Sequence, residues 1–476
     1  MRLVRNFLSL AGAEIVSKVV TFAAFAYLAR FVGPEGFGHL EYAGTALFCA
    51  TLLVEQGFGP YGAREIARAP QETTRLVGEI VWTRVLLALL SYGCIIGWAL
   101  ALNRQPVTRL LLLYGASLLA TPLLLQWVFQ GHDRMAVVAV AQVLRQSVFA
   151  FVVFAGVRNA ERLWLAAVAE IAAVGIAAGY CVWMYGREFD GLTKIRARFS
   201  GRLFREGVPI GLSQLFWVVR IFGGTLILGS LASASEVGFF AGALRIMVAA
   251  HTFVWLYYFN LLPSLSRAWQ QDHAAFAGLV RQSFHGVIWL AAAGGLLWAV
   301  LAPPAVTLVY GAAFAPAGLT LQLLAGVCVA AALSGHYRFG LIAAGRQTNE
   351  MLVSVWGALV AVIAIPVGYR WLGLPGAAAG LLAAEIAVWL AAWWAGGRLL
   401  RLTRHSLLLW RPLLAVAGTT ALLWHWASWG LVGRALLAFG ALSALALLLD
   451  GELRERARLL LATLYARSQR GSLEAA

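Results

Sequence analysis

A set of ionisable and amide side chains stands inside runs that are otherwise apolar: Glu14, Lys18, Arg84, Gln142, Arg145, Gln146, Glu170, Arg220, Arg245 and Glu385. A charge at the centre of a bilayer costs about 2.5–3.5 kcal/mol on insertion scales, so such residues face a cavity or a partner. Glu14 and Lys18 are spaced i,i+4 on one face with Thr21. Two readings stand open for them: an internal pair that holds the segment in place, or a cavity-facing pair in which Lys18 meets a ligand and Glu14 tunes it. Gln142, Arg145 and Gln146 share a helix face; that stripe is costly in lipid, suits a wet cavity, and is read as ligand-contacting. Arg220, past the midpoint of its run on a face with Ser213, Trp217 and Gly224, is read the same way. Arg84 and Arg245 complete the binding set, although each is near enough to a run's end to snorkel. The excess of cations (Lys18, Arg84, Arg145, Arg220, Arg245) fits an anionic ligand group.

The acids pose a separate question. Glu170 and Glu385 occupy identical Ala-Glu-Ile-Ala tetrapeptides at 169–172 and 384–387. Packing through hydrogen bonds is their expected role; proton or sodium coupling, shared with Glu14, is the alternative. Glu55 is expected to serve the membrane interface. The eight histidines show no HxxxH or HxxE spacing, and Cys49, Cys94, Cys181 and Cys328 lie far apart in apolar runs. Neither a metal site nor a cofactor is expected, and no covalent chemistry.

The elements that carry these residues follow from composition. Of 476 residues, 61% are hydrophobic and 12% charged, about half the charge density of a soluble protein. That excludes a soluble enzyme. Reading apolar runs between Arg, Gly and Pro gives fourteen candidate spans: 6–29, 40–58, 79–102, 108–129, 136–157, 162–186, 207–231, 239–263, 282–302, 317–337, 350–369, 375–397, 411–429 and 433–450. With the N-terminus cytoplasmic, the loops on that side hold 25 Arg and Lys and the opposite loops 7. Both ends are therefore expected in the cytoplasm. The net charge of +16 thus reflects membrane orientation and not nucleic-acid binding. All cationic residues but Lys18 and Lys194 are arginine, a bias pointing to a GC-rich bacterial coding sequence and so to a bacterial inner membrane. The linker 187–206 and the tail from Glu452 each read as amphipathic basic helices for an anionic membrane face.

Short echoes suggest an internal repeat. Glu-Gly-Phe-Gly at 35–38 answers Glu-Val-Gly-Phe at 236–239; Pro60 with Arg64 answers Pro263 with Arg267; Gly131 answers Gly345; and the two Ala-Glu-Ile-Ala segments match. The division this implies is a six-helix bundle over 1–186, the linker 187–206, a second six-helix bundle over 207–397, two additional helices over 398–450 and a basic tail over 451–476.

At this point the chain resembles the polysaccharide-lipid flippases of the multidrug/oligosaccharidyl-lipid/polysaccharide exporter superfamily. The carriers are YLARFVGPEGFG at 27–38, GFGPYGAREIA at 57–67, QWVFQGHDRM at 126–135, SEVGFFAGALRI at 235–246 and LPSLSR at 262–267. The resemblance implies an all-α integral membrane protein, two pseudo-symmetric bundles in a V around a cavity, and alternating access. It implies movement of polyprenyl-diphosphate-linked oligosaccharide from the cytoplasmic to the outer leaflet for O-antigen, capsule or exopolysaccharide synthesis. Arg145 and Arg220 would then hold the diphosphate. Membrane lipids, a coupling ion (H+ or Na+) if transport is coupled, and a glycan polymerase or assembly complex would be the partners. Three other readings stay open: a peptidoglycan lipid-precursor flippase, a multidrug cation exporter, and a membrane polysaccharide polymerase or ligase. The basic balance argues against the cation exporter, and the short outer loops argue against the enzyme.

Overall fold

In the computed structural model the chain is built from helices, and residues 2–189, 197, 200–402, 408–426, 428–455 and 458–459 are described. The helices are α1 (Arg2–Glu55), α2 (Phe58–Arg68), α3 (Thr73–Leu102), α4 (Val107–Ala116), α5 (Gln126–Gly131), α6 (Met135–Gly156) and α7 (Trp164–Glu188). There follow α8 (Gly201–Leu231), α9 (Ala234–Gln271), α10 (His273–Tyr310), α11 (Ala317–Ala343), α12 (Gln347–Leu400), α13 (Trp410–His425) and α14 (Leu431–Leu449). Among the described residues, 11 helical stretches are long and apolar enough to cross a membrane. Two of them are long enough to cross twice, and α13 adds a sixteen-residue apolar helix. Counted that way there are fourteen crossings, and the protein is a multi-pass membrane protein. Residues 190–196, 198 and 199 of the 187–206 linker and the tail beyond residue 459 lie outside the described residues.

The double crossings hinge on glycine. Gly33 (φ 69°, ψ 177°) breaks α1 immediately before Pro34, and Gly373 (φ 62°, ψ −143°) breaks α12 two residues before Pro375. Those backbone angles suit glycine, and proline is well placed to open the helix that follows. The fourth crossing is interrupted: α4 gives way to tight 3₁₀ turns at Ser117–Leu119 and Thr121–Leu123 before α5, where Pro122 denies the helix a donor.

By packing, the chain forms two compact units. One comprises Met1–Ala243, Val306–Ala317 and Gly357–Leu381; the other comprises Leu244–Ala305, Gly318–Trp356 and Leu382–Ala476. In the first unit a core of Phe58, Ile80, Trp127, Val128, Phe129 and Tyr185 fills one end. There α1 and α8 run antiparallel, with Gly211 against Gln56, Phe222 edge-on to Phe48 and Gly229 against Tyr42. The two echoing segments meet at the far end of this seam. A Cβ placed on Gly38 would lie 1.8 Å from the Ala234 carbonyl oxygen, and one on Gly238 would lie 2.0 Å from that of Pro34. Backbone lies on backbone, so no side chain fits.

In the second unit the last two crossings share the main core: Ala415, Leu423, Ala438 and Leu442 cluster with Phe276, Phe284 and Leu341. Asp450, 1% exposed, fastens them. Its carboxylate accepts hydrogen bonds from His285 Nε2 at 2.7 Å and Trp289 Nε1 at 2.9 Å, with Arg411 Nη1 at 3.5 Å. It also accepts the backbone N–H groups of Glu452 and Leu453. Burial alone would raise this carboxyl, but the hydrogen bonds from Trp289, His285 and the Leu453 N–H outweigh it and hold the carboxyl below its ordinary range.

Candidate functional site

The polar residues of the first unit converge on one face of three helices. The first arm of α1 and helix α6 run side by side in the same direction, locked by Phe25 stacked on Phe149 at 5.5 Å and Tyr27 edge-on to Phe154 at 5.0 Å. That register sets Glu14 opposite Gln142, whose Nε2 donates to Glu14 Oε2. Thr21 lies opposite Gln146, its hydroxyl 2.8 Å from Gln146 Oε1 and 2.7 Å from the Ser17 carbonyl oxygen. Lys18 Nζ lies 3.3 Å from Glu14 Oε1. On the other side of α6, Arg145 Nη2 meets Glu170 Oε1 of α7 at 2.7 Å. Glu14, Lys18 and Gln142, then Thr21 and Gln146, then Arg145 and Glu170 thus form three neighbouring hydrogen-bonded sets on membrane-spanning helices.

The group is not sealed. The side chains of Lys18 and Glu14 are 53% and 46% exposed, that of Arg145 34% and that of Glu170 16%. A guanidinium offers five N–H donors in a fixed fork. Glu170 engages Nη2, while Arg145 Nε is buried and makes no hydrogen bond among the described residues. Arg145 therefore keeps donor capacity beyond its bond to Glu170. Chemically, a part-exposed guanidinium can donate to an anion with acceptor oxygens, and nearby amides and a hydroxyl can replace water around other polar groups.

The remaining residues singled out in the sequence sit elsewhere. Arg220 is fully buried in α8, in the same unit, and Arg245 is half-buried in α9. Arg84 does not snorkel. It is 1% exposed, with Nη2 3.1 Å from Glu55 Oε2, because α2 and the Trp127 side chain close over it beside Gly59. Glu55, itself 34% exposed, is the partner of that buried guanidinium. Glu385 is fully buried in α12, within electrostatic reach of Arg338 and Cys328. Among the described residues no group of three or more His, Cys, Asp or Glu is arranged for a metal ion.

Two arrangements escaped the sequence reading. At one end of the α1–α8 seam, Arg64 meets Glu206 at 2.6 Å, while Arg202 reaches Glu206 at 2.9 Å and Glu65 at 3.6 Å. Hydrogen bonds from Arg202 and then Arg64 hold the Glu206 carboxyl below its usual range. In the second unit, buried His336 is bracketed by hydroxyls from two other helices. Its only signal in the sequence was a histidine near the end of the apolar span 317–337.

The chain matches the family described as polysaccharide biosynthesis protein over residues 3–269. It is similar to two proteins named "Putative O-antigen transporter". That of Shigella dysenteriae is 23% identical over 400 residues, covering 81% of this chain and 97% of the relative. That of Escherichia coli (strain K12) is 20% identical over 246 residues, and the matched region spans 59% of the relative and 50% of this chain. Among solved structures, the lipid II flippase MurJ in an inward closed conformation superimposes with a TM-score of 0.69 at 12% identity, covering 93% of this chain and 99% of that one. An inward-facing multidrug resistance MATE family transporter of the MOP superfamily gives 0.68 at 14% identity, over 81% and 96%. At such identities these likenesses carry the fold alone. The family match covers more than half of the sequence, and the chain belongs to the polysaccharide biosynthesis protein family, a multi-pass membrane protein with the fold of the MOP-superfamily transporters.

Proposed function

We propose that this protein is a flippase for polyprenyl-diphosphate-linked oligosaccharide, moving it from the cytoplasmic to the outer leaflet of a bacterial inner membrane without making or breaking a bond. The observation that carries the reading is Arg145: a guanidinium inside a membrane-spanning helix, part-exposed, with a buried N–H that no described residue takes up. Each unsatisfied hydroxyl costs roughly 2–7 kcal/mol in hydrocarbon, so a lipid-linked sugar chain faces a barrier of tens of kcal/mol. Arg145 and Lys18 would hold the diphosphate while Gln142, Gln146 and Thr21 replace water around the first sugars and the prenyl tail stays in the bilayer. Arg220, from the seventh crossing, is the second arginine of the reading; Arg245 and Arg84 complete its cations. The family and the O-antigen transporter relatives support a lipid-linked glycan as cargo. Two six-helix bundles over 1–186 and 207–397, cytoplasmic ends, and work alongside a glycan polymerase belong to the same proposal.

The test is glycan export in cells lacking the native gene, with protein abundance measured in the membrane. Charge-assisted hydrogen bonds are worth about 1.5–3 kcal/mol, so Arg145→Ala should lower export by roughly ten- to a hundredfold. Arg145→Lys should restore part of it, keeping the charge and losing the fork. Export at the wild-type rate in a well-expressed Arg145→Ala protein would remove the diphosphate from this site.

A further inference from the structure

His336 of α11 is fully buried, and each ring nitrogen has a hydroxyl partner. Tyr258 Oη of α9 lies 2.7 Å from Nδ1, and Ser283 Oγ of α10 lies 2.7 Å from Nε2. Tyr258 Oη is also 2.5 Å from the Ala332 carbonyl oxygen, and Tyr257 Oη is 2.5 Å from Ser283 Oγ. Proton counting orders the chain. A carbonyl only accepts, so the single Tyr258 proton goes to Ala332, and the Nδ1 contact requires an N–H on the ring. In the neutral imidazole Nε2 is then bare and accepts from Ser283, which in turn accepts from Tyr257. Every donor points one way, from Tyr257 through Ser283 and His336 to Tyr258 and Ala332.

The outer end of this chain is open. Tyr257 is 40% exposed and lines, with Phe253, Leu256, Asn260 and Leu261 of the same helix, a shallow open cavity on the face of α9. A proton taken from water by Tyr257 can pass as Tyr257 releases its own to Ser283 and Ser283 releases its own to Nε2. The product is an imidazolium that donates to Tyr258 and Ser283, with Ser283 turned back toward Tyr257. One proton enters, one charge appears, and each hydrogen bond along the chain survives in one sense or the other. The charged groups on the neighbouring helices are paired or exposed. Arg338, two residues along α11, is taken up by Glu350 of α12 at 2.5 Å, with Glu385 of α12 in reach of Arg338. On α10, His285 is committed to Asp450 and Arg281 is exposed. Tyr337 flanks on α11, and the Phe284 ring closes over the imidazole at 5.2 Å.

We propose that His336 is a proton-binding site, loaded from the cavity through Tyr257 and Ser283, and that its occupancy drives transport. A buried charge is expensive, so loading biases the helices that bracket it toward a conformation that solvates it. Proton binding stands on the hydrogen-bond chain alone; the coupling rests on the lipid-linked glycan reading, and the two are tested separately. Full-length protein in lipid nanodiscs, with ¹⁵N-labelled histidine and the His336 signal identified by its loss in His336→Gln, should show a neutral ring protonated at Nδ1. That ring should become doubly protonated as the pH is lowered over the range in which the protein stays folded. In liposomes of phosphatidylethanolamine and phosphatidylglycerol, a fluorescent polyprenyl-diphosphate oligosaccharide should flip at least about fivefold faster under an imposed pH gradient. Ser283→Ala and the rim variant Tyr257→Phe should lose that acceleration while keeping gradient-free flipping. A His336 ring that stays in one protonation state across the range, or a wild type whose flipping ignores the gradient, overturns the proposal. A ring that titrates in a protein that flips no glycan leaves the proton site standing and overturns the cargo.

Discussion

Glu170 and Glu385 sit in the same tetrapeptide, yet their surroundings differ. Glu170 is part-exposed and ion-paired at 2.7 Å with Arg145 on the neighbouring helix. Glu385 is fully buried in α12, among the core residues of the second unit. The polar groups around each follow suit. Near Glu170 they are charged and open: Glu14, Lys18, Gln142, Arg145, Gln146. Around Glu385 they are buried: Arg338 of α11, ion-paired with Glu350, lies within its electrostatic reach, and the same unit buries the hydroxyl chain about His336. A repeated sequence element fixes a position on a helix but not a role. The role follows from how the facing cation is shared and from whether the face stays open: Arg145 meets Glu170 directly, whereas Arg338 is taken up by Glu350 beside a buried Glu385.

The sharpest way to break this contrast is to neutralise the acids in turn. Removing one partner of a partly buried pair strands the other charge at a cost of several kcal/mol. Glu170→Ala should therefore lower glycan export by more than about tenfold, either through mispositioned Arg145 or through lost protein. Adding Arg145→Ala to it should cost far less than the sum of the two single changes, because they share one interaction. Glu385→Gln should keep export within about twofold, since an amide fills the same space and neutral packing is the role expected of it. Export measured alongside membrane abundance decides both. A larger loss from Glu385→Gln than from Glu170→Ala would reverse the comparison and move the coupling question to Glu385.

How far the sequence reached is visible in the same residues. Apolar runs gave the crossings, because bilayer thickness imposes a length that no other feature imitates. Helical spacing put Glu14, Lys18 and Thr21 on one face and Gln142, Arg145 and Gln146 on another. It could not say that the two faces meet, since that depends on the α1–α6 register set by Phe25 on Phe149. Arg84 reads as a snorkelling cation because only its distance from a helix end is visible; Glu55, twenty-nine residues away, buries it. The fused helices α1 and α12 read as separate spans because Gly33 and Gly373 are stops in sequence and hinges in space. The His336 chain draws on α9, α10 and α11, so no local spacing announces it.

A middling effect is expected at Asp450, which holds the last two crossings against α10. Its carboxyl sits below the ordinary carboxylate range in the folded protein. Its contribution is therefore present above the unfolded value and lost as pH falls through the folded one. Asp450→Asn keeps the shape but withdraws the charge from His285, Trp289 and Arg411. The loss should be about 1–3 kcal/mol, read as a lowered unfolding midpoint in detergent at neutral pH and as a smaller pH dependence on the acid side. Glycan transport per folded molecule should be unchanged, which separates this buried carboxylate from Glu170. An Asp450→Asn protein that unfolds at the wild-type temperature would mean that the apolar core of α13 and α14 holds them unaided.

The smallest effect should come from Thr21. Its hydroxyl divides one proton between Gln146 and the Ser17 carbonyl, so neither bond is at full strength. Thr21→Val keeps the shape and removes the hydroxyl, leaving Gln146 to find water on the open face. That argues for a loss of about 0.5–1 kcal/mol and a change in export of less than about fivefold. Because Thr21 carries no charge, the change should appear as weaker apparent affinity for the glycan carrier, with maximal flipping preserved. Flipping titrated against carrier concentration in liposomes distinguishes the two. An unchanged affinity with a reduced maximal rate would place Thr21 in the α1–α6 packing that moves during transport, and would take it out of the polar ring around Arg145.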